Sequence, residues 1–455
     1  MTKGTGFSSR TRGASVAALL SLVVVCAACG STSPTATPPT TAPPISATTV
    51  APPSGTGPAP TTAPGPNGTP TGPAVPTVSS QAPGPVPASY RSLYSTLQGQ
   101  ISSFAAVAGT PPANSSTMIA SALEPADGNA MTPDVLLGNA LANSTAMITS
   151  MKALGETAVT VQVNFPLLLA SFPDSSTYTT FYQEVAQAVH AAGMTLIVEE
   201  NPLFGNISSL SVGSFYASLN LTSFAADYQQ QAQTIIDTMD PTYLAILNEP
   251  DTYTANLHNK AIDLNVAATG AQFVNLVLGG LDRKQTLVGA GSGTWTDPSY
   301  DQTLLSQTSI DFVDMHTYPV AAVDVSNMQG QVQEAEAAHK PIVMTECWLY
   351  KESTDGKIVD TPTSAPNEQK IGTYSFWEPL DSQFLTAMVD YAESNGFAVV
   401  SPFSTENLLA YQTWTPALDA ESSTQVRSAF NQQVVTALRT DEISPVGDTV
   451  RKLAG

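Results

Sequence analysis

Apolar positions along the chain follow two alternating rhythms. Short, near-continuous apolar runs occupy Thr117–Leu123, Ala158–Phe165, Thr195–Glu200, Tyr243–Asn248, Thr286–Ala290, Phe312–His316, Ile342–Glu346 and Ala398–Ser401. Strands with one wet face alternate apolar and polar residues; these do not, as expected of parallel strands covered on both faces. Between the runs, apolar residues recur every three or four positions. Phe224, Tyr228, Ala232, Ile235, Ile236 and Met239 form one such stripe, and Val426, Phe430, Val434 and Leu438 form another that closes the chain. Ahead of the first run, Tyr90, Leu93, Tyr94, Leu97, Ile101 and Phe104 predict an amphipathic helix that opens the folded part. Eight strand–helix pairs predict an α/β fold, a (β/α)8 TIM barrel. A doubly wound sheet gives no reason for the count of eight, and no Gly-rich phosphate turn follows the first strand.

The amino-terminal stretch has neither rhythm. Lys3, Arg10 and Arg12 precede a short apolar run over Val16–Val25, followed by Cys26-Ala27-Ala28-Cys29-Gly30. That is the layout of a secretory signal peptide over residues 1–29, and the run is about half the length of a membrane span. The Ala-Ala-Cys-Gly ending resembles a bacterial lipobox, which implies that Cys29 carries lipid on the mature chain. Residues 30–89 are rich in Pro, Thr, Ser, Ala and Gly and carry no charge, so they predict a disordered stalk ahead of a folded domain at 90–455. The expected location is the outer face of a bacterial cell envelope, or the medium if the lipid site is unused.

Charge narrows the partners. Without Lys3, Arg10 and Arg12 the chain has 13 Lys and Arg against 37 Asp and Glu, and 13 − 37 = −24. Such a surface disfavours nucleic acid and anionic membranes as partners, leaving the lipid as the membrane contact and a monomer as the simplest state. With Cys29 lipidated, Cys347 is the one thiol left, which excludes a disulfide or a cysteine zinc site. His190, His258 and His339 have no metal-ligand spacing.

In a TIM barrel the active site lies at the carboxyl ends of the strands. Those ends carry Glu124 and Asp127; Asn164; Glu199, Glu200 and Asn201; Asn248 and Glu249; Trp295; His316 and Tyr318; Glu346 and Trp348; and Phe403, Glu406 and Asn407. Carboxylates, amides and aromatics without a lysine or arginine suit a neutral, hydroxyl-rich ligand. At Leu247-Asn248-Glu249-Pro250, His316-Thr317-Tyr318 and Met344-Thr345-Glu346 the chain resembles glycoside hydrolase clan A, the retaining TIM-barrel β-glycosidases. The resemblance implies that Glu249 is the general acid/base and Glu346 the nucleophile. It further implies that Asn248 binds a sugar hydroxyl, that Tyr318 holds the nucleophile and that His316 lines the same subsite. Asn164, Trp295, Trp348 and Phe403 complete the expected carbohydrate contacts, and neither a metal nor a cofactor is required. The chain departs from the clan in carrying Val163-Asn164-Phe165 where many members have an arginine, and Ser401-Pro402-Phe403 where many have a tryptophan. The expected function is an extracellular retaining β-glycoside hydrolase. The alternatives are a surface glycan-binding protein on a glycosidase scaffold and a cell-wall transglycosylase.

Overall fold

Each of the eight apolar runs contains or overlaps a strand. In a computed structural model, which describes residues 75–131, 133–205, 210–318, 320–351 and 370–455, they are β1 (Met118–Ile119), β2 (Ala158–Phe165), β3 (Thr195–Pro202), β4 (Tyr243–Ala245), β5 (Leu287–Gly293), β6 (Val313–Thr317), β7 (Ile342–Cys347) and β8 (Val399–Pro402). Every neighbouring pair is parallel and follows chain order. β1 pairs with β8, and a bridge from Ala122 to Thr160 joins the segment after β1 to β2, closing a (β/α)8 barrel.

The barrel floor is apolar. Ala120, Ala158, Ile197, Ala245, Phe312, Val343 and Val399 form their own buried cluster inside it. Phe312 is large enough to fill the middle because β5 contributes Gly289, where a Cβ would stand 2.3 Å from the Phe312 ring. Alternation along the strands then stacks polar residues above this floor, Thr160, Gln162 and Asn164 on β2 and Glu199 and Asn201 on β3.

β7 departs from simple alternation. Asp314 pairs with Val343 and His316 with Glu346, so three steps on β7 match two on β6; the same extra residue shows against β8. This bulge lets Thr345 and Glu346, consecutive in sequence, both bond residues inside the barrel.

The helical stripes bury as expected: Phe224, Tyr228, Ala232, Ile235, Ile236 and Met239 on Leu221–Met239, and Leu93, Leu97, Ile101 and Phe104 on Arg91–Ala105. The ends of the chain differ from expectation. The expected signal peptide, Cys29 and the stalk as far as residue 74 lie outside the described residues. Residues 75–89, expected in the disordered stalk, belong to the fold: Thr77–Val78 pairs in parallel with Glu442–Ile443, and Val86 packs against the core. Thr77 and Val78 are β-branched and keep their N–H groups, which lets them add to a strand although prolines flank them. Ser423–Thr440 is not the last helix either; Pro445–Ala454 follows it, buries Val446 and Val450, and is N-capped by Ser444. Among the described residues no helix is long and apolar enough to cross a membrane.

Several buried carboxyls have no cation partner among the described residues. Glu156 accepts from Ser121 Oγ at 2.9 Å, and its other oxygen has no partner. Burial raises Glu156 to about 8 and Asp301 to about 7. Between their unfolded values and these folded ones the native state holds the extra protons, so stability is greatest at acidic pH and falls as pH rises toward 8. At ~1.4 kcal/mol per unit the loss from Glu156 alone is on the order of a few kcal/mol. Melting scans should therefore show Tm falling from pH 5 to pH 8 in the parent, and a shallower fall in Glu156→Gln. Equal slopes would show that Glu156 does not carry this dependence.

Candidate active site

The polar residues above the floor converge on His316. This ring is 1% exposed and both nitrogens are engaged. Nδ1 lies 2.9 Å from Glu249 Oε1 and 3.3 Å from Glu346 Oε2. Nε2 lies 3.2 Å from Glu199 Oε1 and 3.0 Å from Thr345 Oγ1, with Asp314 Oδ2 at 3.8 Å. Burial works against charge on the ring, but Glu346, Glu199 and Glu249 outweigh it and hold His316 well above the usual imidazole range.

Glu249 is not a strand residue. β4 ends at Ala245, and Glu249 stands at the N-cap of the helix Pro250–Leu257, where Pro250 occupies the first helical position. Thr252 Oγ1, one turn on, donates to Glu249 Oε2 at 2.5 Å. The preceding Asn248 is 2% exposed, and its amide nitrogen has no partner among the described residues. Glu346 is buried and accepts from Tyr318 Oη and from Gln162 Nε2. Burial raises its carboxyl well above the ordinary range; Glu199 and Glu249 add to this, and His316 opposes it. One oxygen of Glu249 and one of Glu346 lie within 4.8 Å of each other.

Aromatic rings form the wall beside Glu346. Tyr318 stacks on Tyr350 at 4.1 Å and meets Phe403 edge-on at 5.8 Å and Trp295 at 6.0 Å. Trp295 lies flat over Gly293, where a Cβ would come within 2.3 Å of its ring, and donates from Nε1 to Asp251 at 3.0 Å. Trp295 and Phe403 are half-buried, leaving ring surface open.

Of the residues singled out in the sequence, Glu249, Glu346, His316 and Tyr318 form one bonded group, Asn248 adjoins it in sequence, and Trp295 and Phe403 reach it through Tyr318. Two others are engaged elsewhere. Asn164 is fully buried, accepts from Gly128 N–H at 2.7 Å and donates to Asn201 at 2.6 Å, which fixes the segment after β1. Trp348 is buried beside the ion pair of Lys351 and Asp381, with the ammonium 5.6 Å from its ring centre. Cys347 is buried, and burial pushes its thiol up. Gln162, Thr345 and Tyr350 belong to the group and were not anticipated. Gln162 had a signal, since it shares the inward face of β2 with Asn164 two residues on.

Among the described residues, two sets of side chains have the spacing to hold a cation, Glu249 with His316 and Glu346, and Glu199 with Asp314 and His316. In both, His316 already bonds the carboxylates, so a metal ion would have to displace protons from that ring.

No protein-family model matches the chain, and neither does any curated protein. Among solved structures it is similar to the GH113 β-mannanase of Alicyclobacillus acidocaldarius, at 16% identity over 71% of this chain and 98% of that one, with a TM-score of 0.36. It is similar also to the family 1 β-glucosidase of Thermotoga maritima, at 12% identity over 65% of this chain and 88% of that one, with a TM-score of 0.39. Likenesses of this extent speak neither to substrate nor to mechanism.

Proposed function

We propose that this chain is a retaining β-glycoside hydrolase that acts on a polysaccharide or glycan outside the cell. The observation that carries the reading is the carboxyl pair: oxygens of Glu249 and Glu346 lie within 4.8 Å at the barrel mouth. Retaining enzymes hold their two carboxyl groups ~5–5.5 Å apart, whereas inverting enzymes leave ~6.5–9.5 Å for a water.

Glu346 attacks the anomeric carbon while Glu249 gives its proton to the departing glycosidic oxygen, forming a glycosyl-enzyme and a free hydroxyl. Glu249, now a carboxylate, takes a proton from water; the resulting hydroxide oxygen bonds the anomeric carbon and Glu346 leaves. Two carboxyls this close resist ionising together. Gln162, Tyr318 and His316 all direct donors at Glu346, which favours its anion once substrate has displaced water. Asn248 has an amide nitrogen without a protein partner to offer a sugar hydroxyl, and Trp295 and Phe403 offer ring faces. The basic, apolar and Cys-ending amino terminus supports export and a lipid anchor at Cys29.

The test is the chain from residue 75 onward on β-linked glucans, mannans, xylans and galactans, with the first-formed anomer followed by proton NMR. Release of the β-anomer is the expected result, and release of the α-anomer would exclude double displacement. Transfer to a second sugar in place of water would make the enzyme a transglycosylase with the same intermediate.

Tyr318 gives a smaller prediction. A hydrogen bond to a charged group is worth ~1.5–3 kcal/mol, so Tyr318→Phe should lower kcat/KM by roughly 10- to 100-fold. An unchanged value would remove Tyr318 from the reaction.

Because Glu346 must be ionised and its folded value is raised, activity should fall on the acid side at a pH well above the ordinary glutamate range of ~4.3. A pH profile of kcat/KM with its acid limb near 4 would contradict this.

A further inference from the structure

Glu199, like Asp314, is a fully buried carboxylate inside the barrel that the two-glutamate chemistry does not use. It is 0% exposed, its Oε1 faces His316 Nε2 at 3.2 Å, and its Oε2 has no hydrogen-bond partner among the described residues. A carboxylate so placed is unfavourable unless a cation offsets it. Among the described residues, the ion pairs of Glu199, Glu249, Glu346 and Asp314 all run to His316.

The ring's own bonds fix its charge. With Asp314 ionised, Thr345 gives its single hydroxyl proton to Asp314 Oδ1 at 2.6 Å, so toward Nε2 its oxygen accepts. Glu199 also accepts there, which places a proton on Nε2. Nδ1 faces oxygens of Glu249 and Glu346, which places a second proton on Nδ1. Both nitrogens protonated make an imidazolium.

We propose that Glu199 is a positioning residue: its buried carboxylate, bonded to Nε2 of His316, keeps that ring an imidazolium whose other nitrogen lies between Glu249 and Glu346. In a mouth whose strand ends carry no lysine or arginine, this supplies the positive charge from beneath. The imidazolium can lower the cost of ionising Glu346 without occupying the space the sugar needs. The catalytic consequence rests on the glycosidase reading of Glu249 and Glu346; the charge state does not.

The groups that face His316 are Glu199 from β3, Glu249 after β4, Asp314 on its own strand, Tyr318 just beyond it, and Glu346 from β7. Gln162 of β2 reaches the same cluster through Glu346 and is neutral. Glu199 is held below the ordinary carboxylate range, since burial raises it but its bond to His316 and the imidazolium charge prevail. Asp314, raised by burial to about 7, changes charge later than an ordinary aspartate as pH rises and so does not replace Glu199 at acidic pH.

The experiment is a histidine side-chain NMR titration of the parent and of Glu199→Gln, with His316→Asn identifying the resonance among four histidines. In the parent the His316 signals should remain those of an imidazolium well above pH ~6.5. In Glu199→Gln the ring should titrate lower by about one unit or more, and Glu199→Asp should restore part of the shift. Titration of the parent ring at or below ~6.5, which needs no variant to fold, would overturn the proposal, as would identical titrations in parent and Glu199→Gln. On a glycan the parent cleaves, Glu199→Gln should move a limb of the kcat/KM profile along the pH axis; a uniform drop without movement would mean a structural role only and would also overturn it. If the NMR shift is present and no glycan is cleaved, the Glu199–His316 pair stands and the glycosidase reading falls.

Discussion

Glu346→Gln is expected to abolish turnover, with kcat falling on the order of 10⁶-fold, the scale seen when a covalent nucleophile is removed. The substitution keeps the shape of the side chain and removes the charge that attacks the anomeric carbon. It also changes what Gln162, Tyr318 and His316 face: three donors now meet an amide that accepts through one oxygen only. His316, deprived of an anionic neighbour, should titrate lower as well. The barrel floor and the ladders on either side of β7 do not depend on this carboxyl, so circular dichroism should be unchanged while glycan cleavage is lost. Retained cleavage in Glu346→Gln would remove Glu346 from the chemistry.

The second large effect concerns Glu249 and depends on the leaving group. Glu249→Ala should lower kcat on a natural glycan by ~10²–10⁴-fold, the usual worth of a placed general acid. A dinitrophenyl glycoside departs without a proton, so its first step should survive while the glycosyl-enzyme accumulates. Azide, which needs no general base, should then restore turnover and yield a β-glycosyl azide. An equal loss on both substrates, with no response to azide, would show that Glu249 does not transfer the proton. Thr252→Val tests the same carboxyl more gently, because it removes one bond to Oε2 and leaves His316 Nδ1 in place.

Much of this arrangement was legible in the sequence because burial on both faces writes strands as unbroken apolar runs. Asn248-Glu249-Pro250 and His316-Thr317-Tyr318 pointed to the mouth for a related reason, since polar residues directly after an apolar run stand where the strand ends. What stayed hidden depends on contacts between distant segments. The bulge in β7 inserts one residue relative to both neighbours, and no local pattern marks it; a strict period of two would turn either Thr345 or Glu346 away from the site. Gln162 sits in an apolar strand and gains meaning from a partner 184 residues away; Glu199 was legible as a strand-end carboxylate, but its pairing with a ring 117 residues away was not. Trp348 stands where a sugar platform is expected from position alone, and it is buried beside the Lys351–Asp381 pair. Thr77–Val78 is two residues within a proline-rich stretch, and its partner lies at Glu442–Ile443, far along the chain.

The central claim is that Glu346 forms a covalent bond to the sugar. The most direct measurement is peptide mass mapping after incubation with a set of dinitrophenyl 2-deoxy-2-fluoro-β-glycosides of gluco, manno and galacto configuration, which form the intermediate faster than they release it. The account predicts a burst of one equivalent of dinitrophenolate and a fluorosugar on the peptide that contains Glu346, absent in Glu346→Gln. A label on any other residue, or glycan cleavage with inversion and no label from any of the three, would contradict it.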